Sequence, residues 1–160
     1  MSSLKPLRLP PRIKVLEAIG CIGDNRIELV SENEALVVSS TGERKYRVIV
    51  VPDSSSNSSF RVYSNDNGTI YRGYVGYPII AFLMLKGVIP IDRDVMKAMT
   101  GIPWKELNEK YKKYSIVESI VMSRAEKMGV SREIVNDYIN IVFKKLRILR
   151  IYFDESLASG

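Results

Sequence analysis

Up to Gly76 the apolar residues of this 160-residue chain tend to alternate with polar ones, and beyond Pro78 they recur every third or fourth position. Alternation marks a strand half-buried in a sheet, and the longer spacing marks a helix with one buried face. A chain that changes period once, near its middle, is expected to be α+β. It would build a small antiparallel sheet first, with one helix allowed before it, and then a bundle of about five helices.

The sheet segments read as "RIELV" (26–30), "ALVVSS" (35–40), "RKYRVIVV" (44–51), "FRVY" (60–63) and "TIYRGYV" (69–75). "SENE" and "STGE" are turn signals, "DSSSNSS" (53–59) is a polar loop, and Asn67-Gly68 is a hairpin tip joining the last two strands. Pro11 can open a helix from Arg12 to Cys21, with a short strand as the competing reading of "IKV".

Pro78 can open a second helix over 78–86, apolar on every side ("IIAFLML") and therefore buried. Helices follow over 92–99, 103–114, from a Ser115 cap to Gly129, and from a Ser131 cap in one stripe running to Phe153. The predicted organisation is a disordered tail at 1–11, a β-rich domain at 12–76, a helical domain at 77–153 and a frayed tail at 154–160.

Composition narrows the function classes. There is no histidine, so the commonest general base and transition-metal ligand are missing. Cys21 is alone, which excludes an intrachain disulfide and a cysteine zinc site. No Walker loop, nucleophile elbow or dinucleotide fingerprint occurs. The expectation is a non-enzymatic protein with no metal and no cofactor. The start of the chain lacks an apolar core long enough for a signal peptide. The longest apolar run, 77–85, is about half a membrane span, so no membrane partner is expected and cytoplasmic residence is.

The net charge of +6 and pI near 9.4 permit phosphate or polyanion binding. "RGYVGYPI" matches the first three positions of the RNA-recognition strand motif with Arg72, Gly73 and Tyr74, but Val75 and Gly76 fail the next two. Alternation places Arg61 with Tyr63, Arg72 with Tyr74, and Lys45 with Arg47, each pair on one strand face, with Tyr71 and the valines on the other. If those faces align, they form a basic, aromatic surface that could stack bases and neutralise the phosphates of DNA or RNA. Lys112 and Lys113 add charge in "KELNEKYKKY", a segment that also reads as a salt-bridged solvent face. A protein partner, or a second copy of the chain, would instead use the helical half: Trp104, and the basic end of the last helix at Lys144, Arg147 and Arg150.

In style the chain resembles small uncharacterised proteins of thermophilic archaea, with no glutamine and many charges. The stretch "YPIIAFLMLKGVIPID" followed by "GIPWKELNEKY" is similar to the helical part of GINS replication-complex subunits, which also place a β-rich part before a helical one. The family's usual tryptophan early in that first helix is absent here. The resemblance implies a non-catalytic scaffold of the DNA-replication machinery.

Overall fold

The computed structural model describes residues 4–54 and 56–159. Residues 1–3 of the predicted N-terminal tail, Ser55 of the polar loop and Gly160 lie outside them. In chain order the elements are β1 (Lys5–Pro6), α1 (Ile13–Gly23), β2 (Ile27–Ser31), β3 (Glu34–Val38), β4 (Lys45–Pro52) and β5 (Ser59–Ser64). After a π-helical turn at Gly68–Arg72 come α2 (Tyr77–Leu85), α3 (Arg93–Ala98), α4 (Trp104–Tyr111), α5 (Tyr114–Lys127), α6 (Arg132–Ile148) and β6 (Arg150–Phe153), then a 3-10 turn at Glu155–Ser159. The fold is α+β, as the periodicity predicts.

The sheet has six strands in the order β1-β6-β5-β4-β3-β2, antiparallel throughout except for the parallel pair β5–β6. Ala35 and Val37 of β3, Val48 and Val50 of β4, and Phe60 and Val62 of β5 are buried on one face. Helix α2 packs on that face, and α1 packs on α2 from the other side. Residues 78–84 of α2 are all buried, because this helix packs against both the sheet and α1. One hydrophobic cluster runs from Ile13 to Ile151 and contains residues from both the β-rich and the helical segments.

Asp92 and Ser131 cap the helices that follow them. Asp92 accepts hydrogen bonds from the backbone N–H groups of Asp94 and Val95 at 2.9 and 3.0 Å, and Ser131 Oγ accepts from Ile134 N at 3.2 Å. Ser115 caps nothing: α5 starts two residues earlier than a Ser115 cap implies, with Lys113 at the cap position and no side-chain bond. The predicted 103–114 helix stops at Tyr111 because Lys112 takes a left-handed conformation, φ 56°.

The predicted hairpin over 60–75 does not form. The buried Asp66 carboxylate accepts from Thr69 N at 3.1 Å, Thr69 Oγ1 at 2.9 Å and Ser64 Oγ at 2.5 Å. That side chain holds the chain in a helical turn where Asn67-Gly68 would otherwise make a tight reverse turn. Gly73 then closes the turn at φ 71°, and Tyr74 makes only an isolated parallel bridge to Arg8. Arg72 and Tyr74 therefore do not belong to a strand of the sheet.

Both ends of the chain also differ from the expected tails. Residues 5–6 pair with β6, and Arg8 bonds both sides of the 73–75 segment (Arg8 N to Gly73 O at 2.9 Å, Val75 N to Arg8 O at 3.0 Å). The predicted last helix ends at Ile148. Leu149 turns extended, and the β-branched and aromatic run that follows adds β6 to the open edge of β5. Beyond it Asp154 is buried, and its N–H donates to Val62 O at 2.8 Å.

The Asp66 cluster ties β5 to the start of α2, since Gly76 N donates to Thr69 Oγ1 at 3.2 Å. Asp66→Ala would strand these buried donors and should destabilise the protein by about 3 kcal/mol in urea denaturation. Asp92→Ala, which removes an exposed cap, should cost only about 1 kcal/mol.

Candidate functional site

On β4 and β5 the side chains alternate between faces as the sequence predicts. Lys45, Arg47, Arg61 and Tyr63 point away from the buried face that carries Tyr46, Val48, Val50, Phe60 and Val62. Arg47, Arg61 and Tyr63 have partners within the fold, however, whereas Lys45 is exposed and makes no ion pair among the described residues. Arg47 Nε bonds Glu34 at 2.9 Å, and its Nη1 donates to the Ala158 carbonyl at 2.9 Å. Arg61 bonds Asp154 at 2.8 Å, and the Tyr63 ring lies 5.7 Å from that of Phe153. The 155–159 turn packs against β5. This face is a partly covered layer of ion pairs, and Arg72 and Tyr74 stand elsewhere, so the six sheet residues do not form one open surface. Lys112 and Lys113 are exposed at the α4–α5 junction.

Trp104 is 2% exposed and belongs to the core cluster, so it offers no surface anchor. Lys144, Arg147 and Arg150 are exposed at the end of α6 and the start of β6.

A different set of cations comes together at the edge where β1, the π-helical turn and the end of α6 meet. The Arg8 guanidinium donates to the Arg72 carbonyl. Arg8 and Arg147 line one groove of about 230 Å³, which also takes in Leu146, Leu149 and Ile151. Leu7 N bonds Ile151 O at 2.9 Å, which sets Arg150 across the strand pair from Arg8. All four arginines are exposed, and none makes an ion pair among the described residues. Next to Arg72, Tyr71 is 80% exposed. Sequence reasoning missed Arg8, which sat in the supposed loose tail, and assigned Tyr71 to the apolar face of a strand that does not exist. The run "TIYRGY" carried the right residue types but the wrong period.

A second feature is a polar cavity of about 180 Å³ among α1, α4, β4 and the 66–77 segment. Lys14 and Glu17 of α1 are paired inside it at 2.9 Å, with side chains only 13% and 5% exposed. Burial is the largest single influence on Lys14 and opposes its charge, but the Glu17 carboxylate, together with Tyr74 and Tyr114, holds the ammonium above its usual range. Burial also pushes the Tyr74 hydroxyl up to about 12 and raises that of Tyr77. Trp104 and Asn108 also line the cavity, and their Nε1 and Oδ1 atoms are buried without a hydrogen-bond partner among the described residues, Nε1 lying against Gly20. The signal in the sequence was Glu17, a lone carboxylate in the apolar run of α1, with Lys14 three residues before it. Among the described residues no three metal-ligating side chains cluster, and no helix is long and apolar enough to cross a membrane.

The chain belongs to the family described as uncharacterised conserved protein UCP014422, whose profile matches residues 7–152. The match begins at Leu7, so it takes in the Arg8 segment, and it ends inside β6. No curated protein and no solved structure matches, so the comparisons return no replication-complex subunit.

Hydrogen bonds from Ser156 and Arg61 hold the Asp154 carboxyl below its usual range despite opposing desolvation. A carboxyl shifted downward stabilises the fold above its unfolded pKa and loses that contribution as pH falls through its folded one. The urea midpoint of the protein should therefore exceed that of Asp154→Asn by a constant margin at neutral pH. The margin should shrink as pH drops below about 4.

Proposed function

We propose that this protein is a non-catalytic nucleic-acid-associated binding protein whose contact surface is the arginine edge rather than the sheet face. The observation that carries the reading is the nearness of Arg8, Arg72, Arg147 and Arg150, brought from three separate segments by the Arg8 bond to the Arg72 carbonyl, the groove shared by Arg8 and Arg147 and the Leu7–Ile151 pairing, each exposed and without an acidic partner among the described residues. Guanidinium groups bind phosphate through paired donors, and exposed aromatic rings stack bases irrespective of sequence. Tyr71, beside Arg72 and 80% exposed, supplies such a ring. Lys144, one turn before Ile148 on α6, extends the charge. The net charge of +6 acts in the same direction. The absence of histidine, and of a metal-ligating cluster among the described residues, gives an enzyme reading little to work with. A role in replication, which the GINS resemblance implies, is one setting for such a protein.

Binding to a single-stranded oligonucleotide should weaken with salt, with a log–log slope of about −3 for four neutralised phosphates. Each of Arg72→Ala, Arg147→Ala and Arg150→Ala should flatten that slope by about 0.7. Tyr71→Ala should leave the slope alone and cost about 1–3 kcal/mol of affinity. Arg47→Ala and Arg61→Ala should leave binding unchanged. No binding to single- or double-stranded DNA or RNA at low salt would defeat the proposal.

A second reading, a protein-interaction subunit, has its own observation. Ile134, Ile141 and Ile148 are 43%, 54% and 62% exposed at seven-residue spacing along α6. Asp137 and Lys144, also exposed, stand between them. An antiparallel second copy would set acidic ends against basic ones, whereas a parallel copy would oppose like charges. Light scattering should then report a dimer that Ile141→Lys dissociates. A concentration-independent monomer excludes self-association through α6.

A further inference from the structure

The cavity beside α1 holds more negative than positive charge, although the chain as a whole carries +6. Each cation that lines it has a carboxylate partner: Lys14 bonds Glu17 at 2.9 Å, Arg26 bonds Asp24 at 3.2 Å, and Lys105 reaches Glu43 at 3.3 Å. Two further carboxylates, Asp66 and Glu109, line it and pair with no cation among the described residues. Three cations thus stand against five carboxylates (Glu17, Asp24, Glu43, Asp66 and Glu109), an excess of two negative charges.

The two unpaired carboxylates differ in setting. Glu109 is exposed and so stands at the mouth, whereas Asp66 is only 5% exposed. The Asp66 oxygens accept from Ser64 Oγ, Thr69 N and Thr69 Oγ1, three of the roughly four positions that a carboxylate offers. Those donors are neutral, so they orient the charge without cancelling it, and a buried charge seldom goes without a counter-charge. Burial raises the Tyr46 hydroxyl and the Asp66 carboxylate adds to that shift, so its charge acts within the cavity. Tyr46, Tyr74 and Tyr77 supply ring walls. Tyr46 and Tyr77 meet edge to face with centroids 6.3 Å apart, and a methyl at Gly68 would come within 2.4 Å of the Tyr74 ring. Their hydroxyls stay protonated at neutral pH, so the rings offer a cation their faces and their oxygen lone pairs. The ammonium of Lys14 already shows such a setting, with Glu17 at 2.9 Å and the Tyr114 ring centroid at 5.1 Å.

We infer that this cavity binds a small organic cation, a primary amine or a guanidine, that donates to the free position on Asp66, lies against the tyrosine rings and is attracted at the mouth by Glu109. The volume of about 180 Å³ suits a molecule of several heavy atoms, well beyond the roughly 15 Å³ that one water needs. A divalent metal ion would want about six oxygen ligands, whereas an ammonium is held by a carboxylate, phenol oxygens and ring faces. The site does not depend on phosphate binding at the arginine edge, and either can fail without the other.

The intact protein should be titrated at constant ionic strength with putrescine, agmatine and benzylamine, and in parallel with 1,4-butanediol, benzyl alcohol and benzoate as neutral and anionic counterparts. Calorimetry reads the binding, and the fluorescence of Trp104, the only tryptophan and a residue of the cavity, gives a second signal. At least one amine should bind saturably and at least about tenfold more tightly than its uncharged counterpart. Glu109→Gln, at an exposed position, should keep the melting temperature and weaken that amine about threefold. Asp66→Asn should weaken it by at least about thirtyfold. Where that variant fails to fold, the Glu109 variant decides the matter. Arg72→Ala and Arg147→Ala should leave amine binding unchanged. No saturable signal from any amine at millimolar concentration overturns the inference, as does equal binding of a neutral or anionic counterpart. An affinity that ignores Glu109→Gln places the amine outside this cavity and overturns it as well.

Discussion

The structure depends on the burial of α2. A nine-residue helix that is apolar all round has no side to turn to water, so it can exist only where other elements enclose it. The sheet provides one wall and α1 another, and all three share a single hydrophobic cluster with the remaining helices. Neither the β-rich nor the helical segment holds a complete core without it. The start of α2 is fixed by Asp66: a methyl at Gly76 would come within 2.1 Å of the Asp66 carboxylate, so the backbone passes there only as glycine. A polar cluster thus sets the position of the most apolar helix.

The two ends of the chain finish what α2 begins. Strand β6 arrives after six helices and joins β5 in parallel, and β1 then adds to β6. This closure decides where positive charge is neutralised and where it is not. The C-terminal residues bring Asp154 to Arg61 and the Ala158 carbonyl to Arg47, which removes those two arginines from service as external contacts. The N-terminal residues bring Arg8 to Arg72 and Arg147, where no carboxylate follows. The basic surface of the folded protein is therefore a product of chain closure more than of strand alternation.

Local periodicity was legible, and with it strands β2 to β5, helices α1 to α6 to within a few residues, and the α+β class. The inward and outward faces of β4 and β5 also follow from alternation. Two kinds of information were hidden. The turn at Gly68–Arg72 is set by one side chain, Asp66, whose three acceptor bonds override the hairpin preference of Asn67-Gly68. The pairing of Arg150–Phe153 with β5 joins residues about ninety positions apart in the chain, and no local pattern encodes a partner at that distance. Both misreadings fell on the candidate site, because Arg72, Tyr74 and Arg150 all lie in the misread segments.

The interior polar groups raise a question of cost that the core alone cannot answer. A buried ion pair such as Lys14–Glu17 stabilises less than well-packed apolar side chains of the same volume, because both charges give up water. Helix α1 is otherwise buried and apolar from Ile13 to Cys21, so aliphatic residues at these two positions would extend a pattern already present. The same holds for Asn108, whose carbonyl is buried with no partner, and for Trp104, whose N–H is left unmatched where phenylalanine would leave nothing unsatisfied. All four residues line one cavity. Four departures from the most stable choice around a single cavity are the pattern expected where a fold has traded stability for a site.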